Sequence, residues 1–255
     1  MTESVAVAAA EAKPSALQEL VEIIKTVAVA LAIALVLRVV FFQPFTIPSA
    51  SMEPNLYEGD YIVVSKYAYG WSQHSIPFSP PLFQGRVFER TPKRGDIIVF
   101  KLPRDGHTDY IKRLIGLPGD RVQVRGGVVY INGDQVPRVQ TANVDEMTGY
   151  AVQQFRETLP EGRQIRVNDF GPNGDLDDTA LMVVPQGHYF FMGDNRDNSQ
   201  DSRLDPSVGV GFVPAANLVG RAEVILLSWR QGASLFKPWT WVLNLRPSRF
   251  FKGLR

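Results

Sequence analysis

The sequence predicts a mostly β fold preceded by a single transmembrane helix near the N-terminus. The chain has 255 residues, of which 45% are hydrophobic and 21% charged, so it can bury a sizeable core. Residues 23–42 are apolar around the full circumference of a helix. After Pro44 the sequence changes to short runs rich in β-branched and aromatic residues. Each run lies beside Gly, Pro or Asp, which is typical of strands joined by turns.

The region before Pro44 divides into a tail and an apolar segment. Residues 1–22 are polar and Ala-rich, and we predict a flexible tail there. Residues 23–42 carry charges only near their ends and match the roughly 20 residues that cross a bilayer core. The alternatives are a buried helix, which usually has a polar stripe, and a cleaved secretory signal, which usually has a basic N-terminal region. The charges on the two flanks do not predict an orientation.

Strand-like runs and turn signals continue to the C-terminal region. The stretch 126–137 contains Asn132-Gly133, a pair that favours a tight hairpin turn. In the last 27 residues aromatic side chains are mixed with cations, which suits a lipid headgroup region and equally suits ordinary packing. The residues concerned are Trp229, Phe236, Trp239, Trp241, Phe250 and Phe251, with Arg230, Lys237, Arg246, Arg249 and Lys252.

The composition excludes several classes of site and partner. Cysteine is absent, which removes thiol nucleophiles, disulfides and cysteine-ligated metals. The three histidines, His74, His107 and His188, are far apart and do not have the spacing of a zinc hydrolase. The net charge is +1 and basic runs are lacking. We therefore expect neither a metal, nor another cofactor, nor nucleic acid.

Two segments have the residue types for serine hydrolase chemistry. The Pro-flanked loop Pro48–Pro54 contains Ser49 and Ser51, which taken alone could be turn residues. In the run 110–116, Lys112 interrupts an apolar strand and shares its face with Tyr110 and Leu114. Burial of that face would lower the pKa of Lys112 and provide a neutral amine as general base. The usual alternative is a lysine that extends to solvent from a strand edge.

A third segment, 193–203, is dense in Asp and Asn. Such a loop either binds a cation or is braced by its own hydrogen bonds and ion pairs. Arg196 in its middle disfavours a cation, and the spacing does not fit a calcium loop. We therefore predict a braced loop beside an active site.

Together these segments resemble the bacterial type I signal peptidases, membrane-bound proteases with a Ser/Lys catalytic pair. The resemblance rests on PSASMEP (48–54), KRGDIIVF (93–100), YIKRLIGLPGD (110–120) and GDNRDNSQDSR (193–203), in the family's order. It implies that Ser51 is the nucleophile and Lys112 its general base. It further implies that Ser49 and the backbone N–H of Ser51 form the oxyanion hole, that Ser199 holds the lysine amine, and that Asp194 and Arg196 brace the site.

The resemblance also implies a fold, a specificity and a location. The fold has two antiparallel sheets forming the catalytic β-fold, in segments 43–120 and 186–255, with a β insertion at 121–185 and a membrane-proximal C-terminus. Cleavage would follow small residues in an Ala-x-Ala pattern, at pockets formed by Phe45, Ile47, Pro48, Met52, Leu56, Tyr110 and Ile111. Partners would be signal-peptide-bearing preproteins and the lipid bilayer. The protein would be single-pass in the inner (plasma) membrane, with its catalytic domain on the periplasmic side. The stretch 69–90 matches no motif.

Two other functions are alternatives to this one. Ser234 and Lys237 have the Ser-x-x-Lys spacing of penicillin-binding proteins and β-lactamases, but Ser-Asp-Asn and Lys-Thr-Gly do not occur. A membrane-tethered binding module of the same fold, without catalysis, would need neither Ser51 nor Lys112.

Overall fold

The computed structural model describes residues 15–76, 79–81, 83–230 and 239–254. Most of the predicted flexible tail, residues 1–14, lies outside these residues, as do Ser234, Phe236 and Lys237. The chain forms two compact units, one that ends at Arg38 and one that comprises Val39–Arg255.

The described residues of the N-terminal unit form one helix, α1, which spans Ala16–Val40 and so continues two residues beyond the unit. It therefore begins before the predicted start at Ile23, and the part of the predicted tail from Ala16 to Glu22 is helical. None of its residues is buried, although most of them are apolar. Its 25 residues extend about 38 Å at 1.5 Å per residue, which is enough to span a bilayer core. It is a candidate membrane span on length and composition alone.

Strands make up most of the second unit. In chain order they are β1 (Phe42–Thr46), β2 (Asp60–Ser65), β3 (Trp71–Ser72), β4 (Arg86–Val87), β5 (Ile97–Lys101), β6 (Asp109–Gly116), β7 (Arg121–Arg125), β8 (Val128–Ile131), β9 (Asp134–Gln135), β10 (Arg138–Val144), β11 (Ala151–Thr158), β12 (Gln164–Asp169), β13 (Met182–Val183), β14 (His188–Met192), β15 (Val213–Pro214), β16 (Leu218–Ser228) and β17 (Lys252–Gly253). A short helix, α2, spans Trp239–Asn244.

An eight-stranded antiparallel sheet carries Lys112, and the segment with Ser51 connects two of its strands, β1 and β2. Its order is β1-β2-β16-β5-β6-β14-β15, and β17 pairs with β16. Pro44 lies in β1 at the edge of the sheet, where a missing N–H is tolerated. Strand β6 is internal, because it pairs with β5 on one side and with β14 on the other. A lysine in β6 is therefore held in an interior strand and not at a sheet edge.

Three smaller antiparallel sheets complete the unit, and two of them lie within the predicted insertion 121–185. Strands β10, β11 and β12 form one, and β13, β7, β8 and β9 form another. The turn predicted at Asn132-Gly133 is confirmed: it joins β8 to β9 with both residues at positive φ, as a two-residue hairpin requires. The third sheet, β3 and β4, lies in the unmatched stretch 69–90. The predicted mostly β, antiparallel fold with one apolar N-terminal helix is confirmed.

Buried aliphatic and aromatic side chains form three clusters in the second unit. One lies between the insertion strands and β14 and includes Val122, Phe155 and Phe190. The second packs against the large sheet next to the segment 47–56. The third includes Leu114 and Phe191, from adjacent strands. Each of these three clusters includes a residue of β6, namely Ile115, Ile111 and Leu114, so packing on both faces fixes the backbone that carries Lys112.

Candidate active site

The structure brings Ser51 and Lys112 into direct contact, although 61 residues separate them in the sequence. Nζ of Lys112 lies 2.5 Å from Oγ of Ser51 and donates a hydrogen bond to it. Ser51 is 8% exposed and Lys112 is 4% exposed, so water reaches neither group freely. Burial lowers the pKa of Lys112 to about 8, while the carboxylates of Asp201 and Asp194 oppose that shift. The neutral fraction at pH 7 is therefore far larger than that of an ordinary lysine, although the ammonium form still predominates.

The pleat of β6 accounts for the orientation of Lys112. Successive residues of a strand point to opposite faces, so Tyr110 and Lys112 share one face and Arg113 points to the other. The Lys112 amine lies 5.6 Å from the centroid of the Tyr110 ring. The ring covers the amine on one side and so excludes water from it. The strand thus provides a dry position for the amine, in agreement with the period-two pattern of the sequence.

Ser51 lies in a short 3-10 helix, Ala50–Met52, that follows the extended residue Ser49. Backbone N–H groups at the start of such a helix have no acceptor within it, so they are free to donate to a ligand. The Ser49 and Ser51 hydroxyl oxygens are 3.3 Å apart. A hydroxyl and a backbone N–H therefore lie on the loop that carries the candidate nucleophile.

The loop 193–203 contacts the Ser51 loop and has no space for a side chain at Gly193. A Cβ at that position would overlap Oγ of Ser199 and the carbonyl oxygen of Ser51. The Gly193 N–H donates to Asp201 at 2.9 Å. Burial raises the pKa of Asp201, but Arg203 and the Gly193 N–H outweigh burial and hold that pKa below its usual range. The nearby hydroxyl of Ser199 also lowers that pKa but forms no hydrogen bond with the Lys112 amine.

Asp194 forms a buried ion pair with Arg113, on the face of β6 opposite Lys112. Nε and Nη2 of Arg113 each donate to one carboxylate oxygen of Asp194 at 2.6 Å. The amide of Asn55 donates to the same carboxylate at 2.7 Å. Both charged side chains are at most 5% exposed. Asp194 thus connects β6 to the segment that follows Ser51.

Arg196 has a different partner from Asp194. Its guanidinium donates two hydrogen bonds to the Glu157 carboxylate, at 2.8 and 2.5 Å, and so joins the loop to β11. Between these two ion pairs, Asn195 holds the Ser51 loop directly. Its backbone N–H donates to the carbonyl of Ser51 at 3.1 Å, and its side-chain amide donates to the carbonyl of Ala50 at 3.2 Å.

A cleft of about 630 Å³ opens beside Ser51 and Lys112. Of the predicted pocket residues, Pro48, Tyr110 and Ile111 line it. The structure places the others elsewhere. Ile47, Met52 and Leu56 are buried in a hydrophobic cluster, and Phe45 packs against that cluster. Within the described part of the chain, no cluster of three acidic or histidine side chains could hold a metal ion.

Comparison with known proteins identifies the family. The family described as signal peptidase, peptidase S26, matches residues 20–229. Signal peptidase I of Rickettsia typhi is 42% identical over 241 residues, which cover 87% of this chain and 89% of that protein. Signal peptidase I of Rickettsia felis is 41% identical over 241 residues, covering 87% and 88% of the two chains. The chain belongs to the signal peptidase family.

A solved signal peptidase I from Enterococcus faecalis is 31% identical, covers 52% of this chain and 97% of that one, and has a TM-score of 0.31. As a signal peptidase I, the chain is a serine endopeptidase whose family removes signal peptides. The expected class of partner, the signal-peptide-bearing preprotein, follows from that membership.

Sequence reasoning did not identify several residues that hold the site of this signal peptidase together. Arg113, Glu157, Asp201 and Arg203 form buried ion pairs, and Asn55 bonds to Asp194. Arg113 could have been found, because a second charge beside Lys112 in an apolar strand requires a buried partner. Asn55 and Glu157 had no such signal, because nothing in their local sequence indicates which distant loop they contact.

Proposed function

We propose that the chain is a membrane-tethered endopeptidase that cuts preproteins after Ala-x-Ala sequences, with Ser51 as nucleophile and Lys112 as general base. The contact between the Ser51 hydroxyl and the Lys112 amine, at 2.5 Å in a buried position, carries this proposal. A serine hydroxyl is a weak nucleophile until an adjacent base accepts its proton. A lysine amine is such a base only when its pKa is lowered, as burial does for Lys112.

The reaction would proceed in two steps. Neutral Lys112 accepts the Ser51 proton as Oγ attacks the scissile carbonyl carbon, and the ammonium then protonates the departing amine. Water hydrolyses the acyl-enzyme in the second step, with the same amine as base. The backbone N–H of Ser51 and the hydroxyl of Ser49 would donate to the oxyanion. No histidine is required, because the buried amine takes the role that imidazole has in Ser-His-Asp enzymes.

In this proposal the remaining predicted residues have supporting roles. Asp194 and Arg196 brace the loop through Arg113 and Glu157. Ser199 would bond to the amine once substrate is bound; it lies beside Gly193 at the Ser51 loop. The apolar cleft walls Pro48, Tyr110 and Ile111 would favour small side chains by excluding larger ones. Phe45, Ile47, Met52 and Leu56 would shape these walls from the core beneath them.

The membrane assignment rests on α1 and on the family. A helix of 25 residues without buried side chains is long and apolar enough to be an anchor. We propose a single pass through the inner membrane with the catalytic unit on the periplasmic side, where preproteins emerge. Attaching a reporter enzyme to each end of the chain in cells would test this topology.

Activity is expected to rise with pH. Lys112 is the base, and its pKa is about 8, so the neutral fraction increases about tenfold per unit below that pH and levels off above it. The value of kcat/KM for a signal-peptide-bearing substrate, measured from pH 5 to 9 in detergent, should follow that curve. A profile that stays flat over this range would contradict an amine base.

Replacing Ser49 with Ala is expected to slow the reaction while Ser51 stays reactive. The hydroxyl of Ser49 lies 3.3 Å from Oγ of Ser51 and would be one of two oxyanion donors. Loss of one such donor costs about 2.7 to 4 kcal/mol, or about 100- to 1,000-fold in kcat. Steady-state kinetics of Ser49→Ala and Ser49→Thr give the test, since Thr retains the hydroxyl. Equal rates for wild type and Ser49→Ala would remove Ser49 from the mechanism.

A preprotein cleavage assay distinguishes this proposal from a binding module without catalysis. Purified wild type and Ser51→Ala are incubated in detergent with a signal-peptide-bearing substrate, and mass spectrometry locates the cut. Cleavage after Ala-x-Ala by wild type alone supports the proposal. Binding without a cut by either protein would support the module, and a cut that Ser51→Ala also makes would exclude Ser51 as the nucleophile.

A further inference from the structure

A second cavity, of about 510 Å³, lies next to the cleft. Ala50 of the Ser51 loop and Asn198 of the loop 193–203 line both of them, so the two spaces are neighbours at these loops. The size is within the range of ligand-binding pockets in proteins. Of the loop 193–203, Asn195 and Asn198 line this cavity as well.

Two residues that line this cavity each have a buried amide oxygen with no hydrogen-bond donor among the described residues. These oxygens are Oδ1 of Asn168 and Oδ1 of Asn195, and each side chain is only 2% exposed. The amide nitrogens are occupied: Asn168 donates to Asp145, and Asn195 donates to the carbonyl of Ala50. A buried acceptor without a donor costs free energy, so such groups usually have a partner in the functional state.

The position of Asn195 relates this acceptor to the reaction. Its backbone N–H is bonded to the carbonyl of Ser51, so the free Oδ1 belongs to the residue that holds the candidate nucleophile. A ligand that donates a hydrogen bond to it must therefore lie next to the scissile bond. Extended polypeptide has a backbone N–H at each residue and advances about 3.3 Å per residue, so a few residues would reach from the cut into the cavity.

The outer wall of the cavity is both aromatic and firmly held. The rings of Tyr150 and Phe170 line it and are 74% and 60% exposed. The loop that carries Tyr150 is fixed by Asp145, which accepts the hydroxyl of Tyr57 at 2.7 Å and the backbone N–H groups of Met147 and Thr148 at 2.9 Å. Exposed aromatics on a fixed loop are typical of surfaces that bind a partner chain.

We propose that this cavity binds the first residues of the mature protein, which follow the cut, with Asn168 and Asn195 accepting from their backbone N–H groups and Tyr150 and Phe170 packing against their side chains. This inference rests on the proposed function. The cleft, with its apolar walls, would hold the small residues before the cut. The second cavity has a mixed polar lining, with Glu53, Asp145 and Arg230, and suits a segment of variable, often polar sequence.

Two substrates with the same signal segment test this assignment. The long one continues for six residues after the cut, and the short one ends in an amide after a single residue. The wild-type ratio of kcat/KM for long over short substrate is expected to be about ten, and the double variant Tyr150→Ala/Phe170→Ala should bring it close to one. Val139→Ala, which removes another exposed apolar side chain away from the cavity, should leave the ratio unchanged. A double variant with the wild-type ratio would overturn the inference.

Crosslinking gives a readout that does not depend on turnover. A long substrate with a benzophenone side chain at the third residue after the cut is bound to Ser51→Ala, irradiated and digested. We expect crosslinks to segments 145–152 or 168–171; crosslinks confined to 48–51 and 109–112 would overturn the inference. If wild type cleaved neither substrate, the proposed function would fail as well. If cleavage depended on Ser51 but the double variant kept the wild-type ratio of kcat/KM for long over short substrate, only the cavity assignment would be overturned.

Discussion

Replacing Lys112 with Met, or Ser51 with Ala, is expected to abolish processing while the protein still folds. Met removes the amine but keeps most of the volume and the apolar character of the lysine chain, and it suits a dry site better than an ammonium does. When a nucleophile and its base act as a unit, loss of either one costs nearly the full effect, about 10⁶-fold in kcat for a serine protease. Each variant, and the two combined, should therefore show a loss of at least about 10⁴-fold.

Matched variants distinguish this effect from general disturbance. Lys101→Met removes a lysine from the adjacent strand β5, where its amine pairs with Asp109 and bonds to the carbonyl of His107. Ser207→Ala removes an exposed hydroxyl. Both controls should retain activity within about threefold, because neither change removes a group that contacts Ser51 or Lys112. Lys112→Met with more than one hundredth of wild-type activity would mean that another group takes the proton of Ser51.

The pairing of Ser51 with Lys112 was implied by the family resemblance. The residues alone indicated only that a lysine in an otherwise apolar strand is costly unless it is neutral or paired, which made Lys112 a candidate base. The β character followed from β-branched runs between turn residues, and the Asn132-Gly133 hairpin from its strict backbone requirement. These inferences depend on strand propensity, turn geometry and the cost of a buried charge, all of which are properties of short segments of the sequence.

The features that the sequence did not predict depend on contacts between distant segments. The start of α1 at Ala16 was missed because Ala, Leu, Glu and Gln are good helix formers, while the prediction followed hydrophobicity alone. The family resemblance implied that Ile47, Met52 and Leu56 are pocket walls, and the sequence did not indicate that all three are buried in one hydrophobic cluster. The partners of Asp194 and Arg196, namely Arg113 and Glu157, became evident only in three dimensions.

These ion pairs provide a structural reason for the dense charge of the loop 193–203. Arg113 with Asp194, Arg196 with Glu157, and Arg203 with Asp201 each have both side chains at most 5% exposed. Buried pairs contribute little net stability over apolar residues, but they fix geometry strictly, because a displaced partner leaves a charge uncompensated. The loop contacts Ser51 through Gly193 and Asn195. The pairs therefore preserve the position of the candidate nucleophile opposite Lys112.

Breaking the Arg113–Asp194 pair is consequently expected to destabilise the second unit strongly. Asp194→Asn keeps the shape but removes the charge, so the buried guanidinium of Arg113 loses its two short bonds to a carboxylate. The free energy of unfolding, from urea titrations followed by tryptophan fluorescence in detergent, should fall by about 3–5 kcal/mol.

The double variant Arg113→Met/Asp194→Leu should recover part of that loss, because it leaves no unpaired charge, while Asn55 still loses its acceptor. Glu161→Gln, which weakens the partly exposed pair with Arg94, should change stability by at most about 1 kcal/mol. If Asp194→Asn cost no more than this control, the pair would not be what holds β6 and the Ser51 loop together, and the positional argument for the loop 193–203 would be wrong.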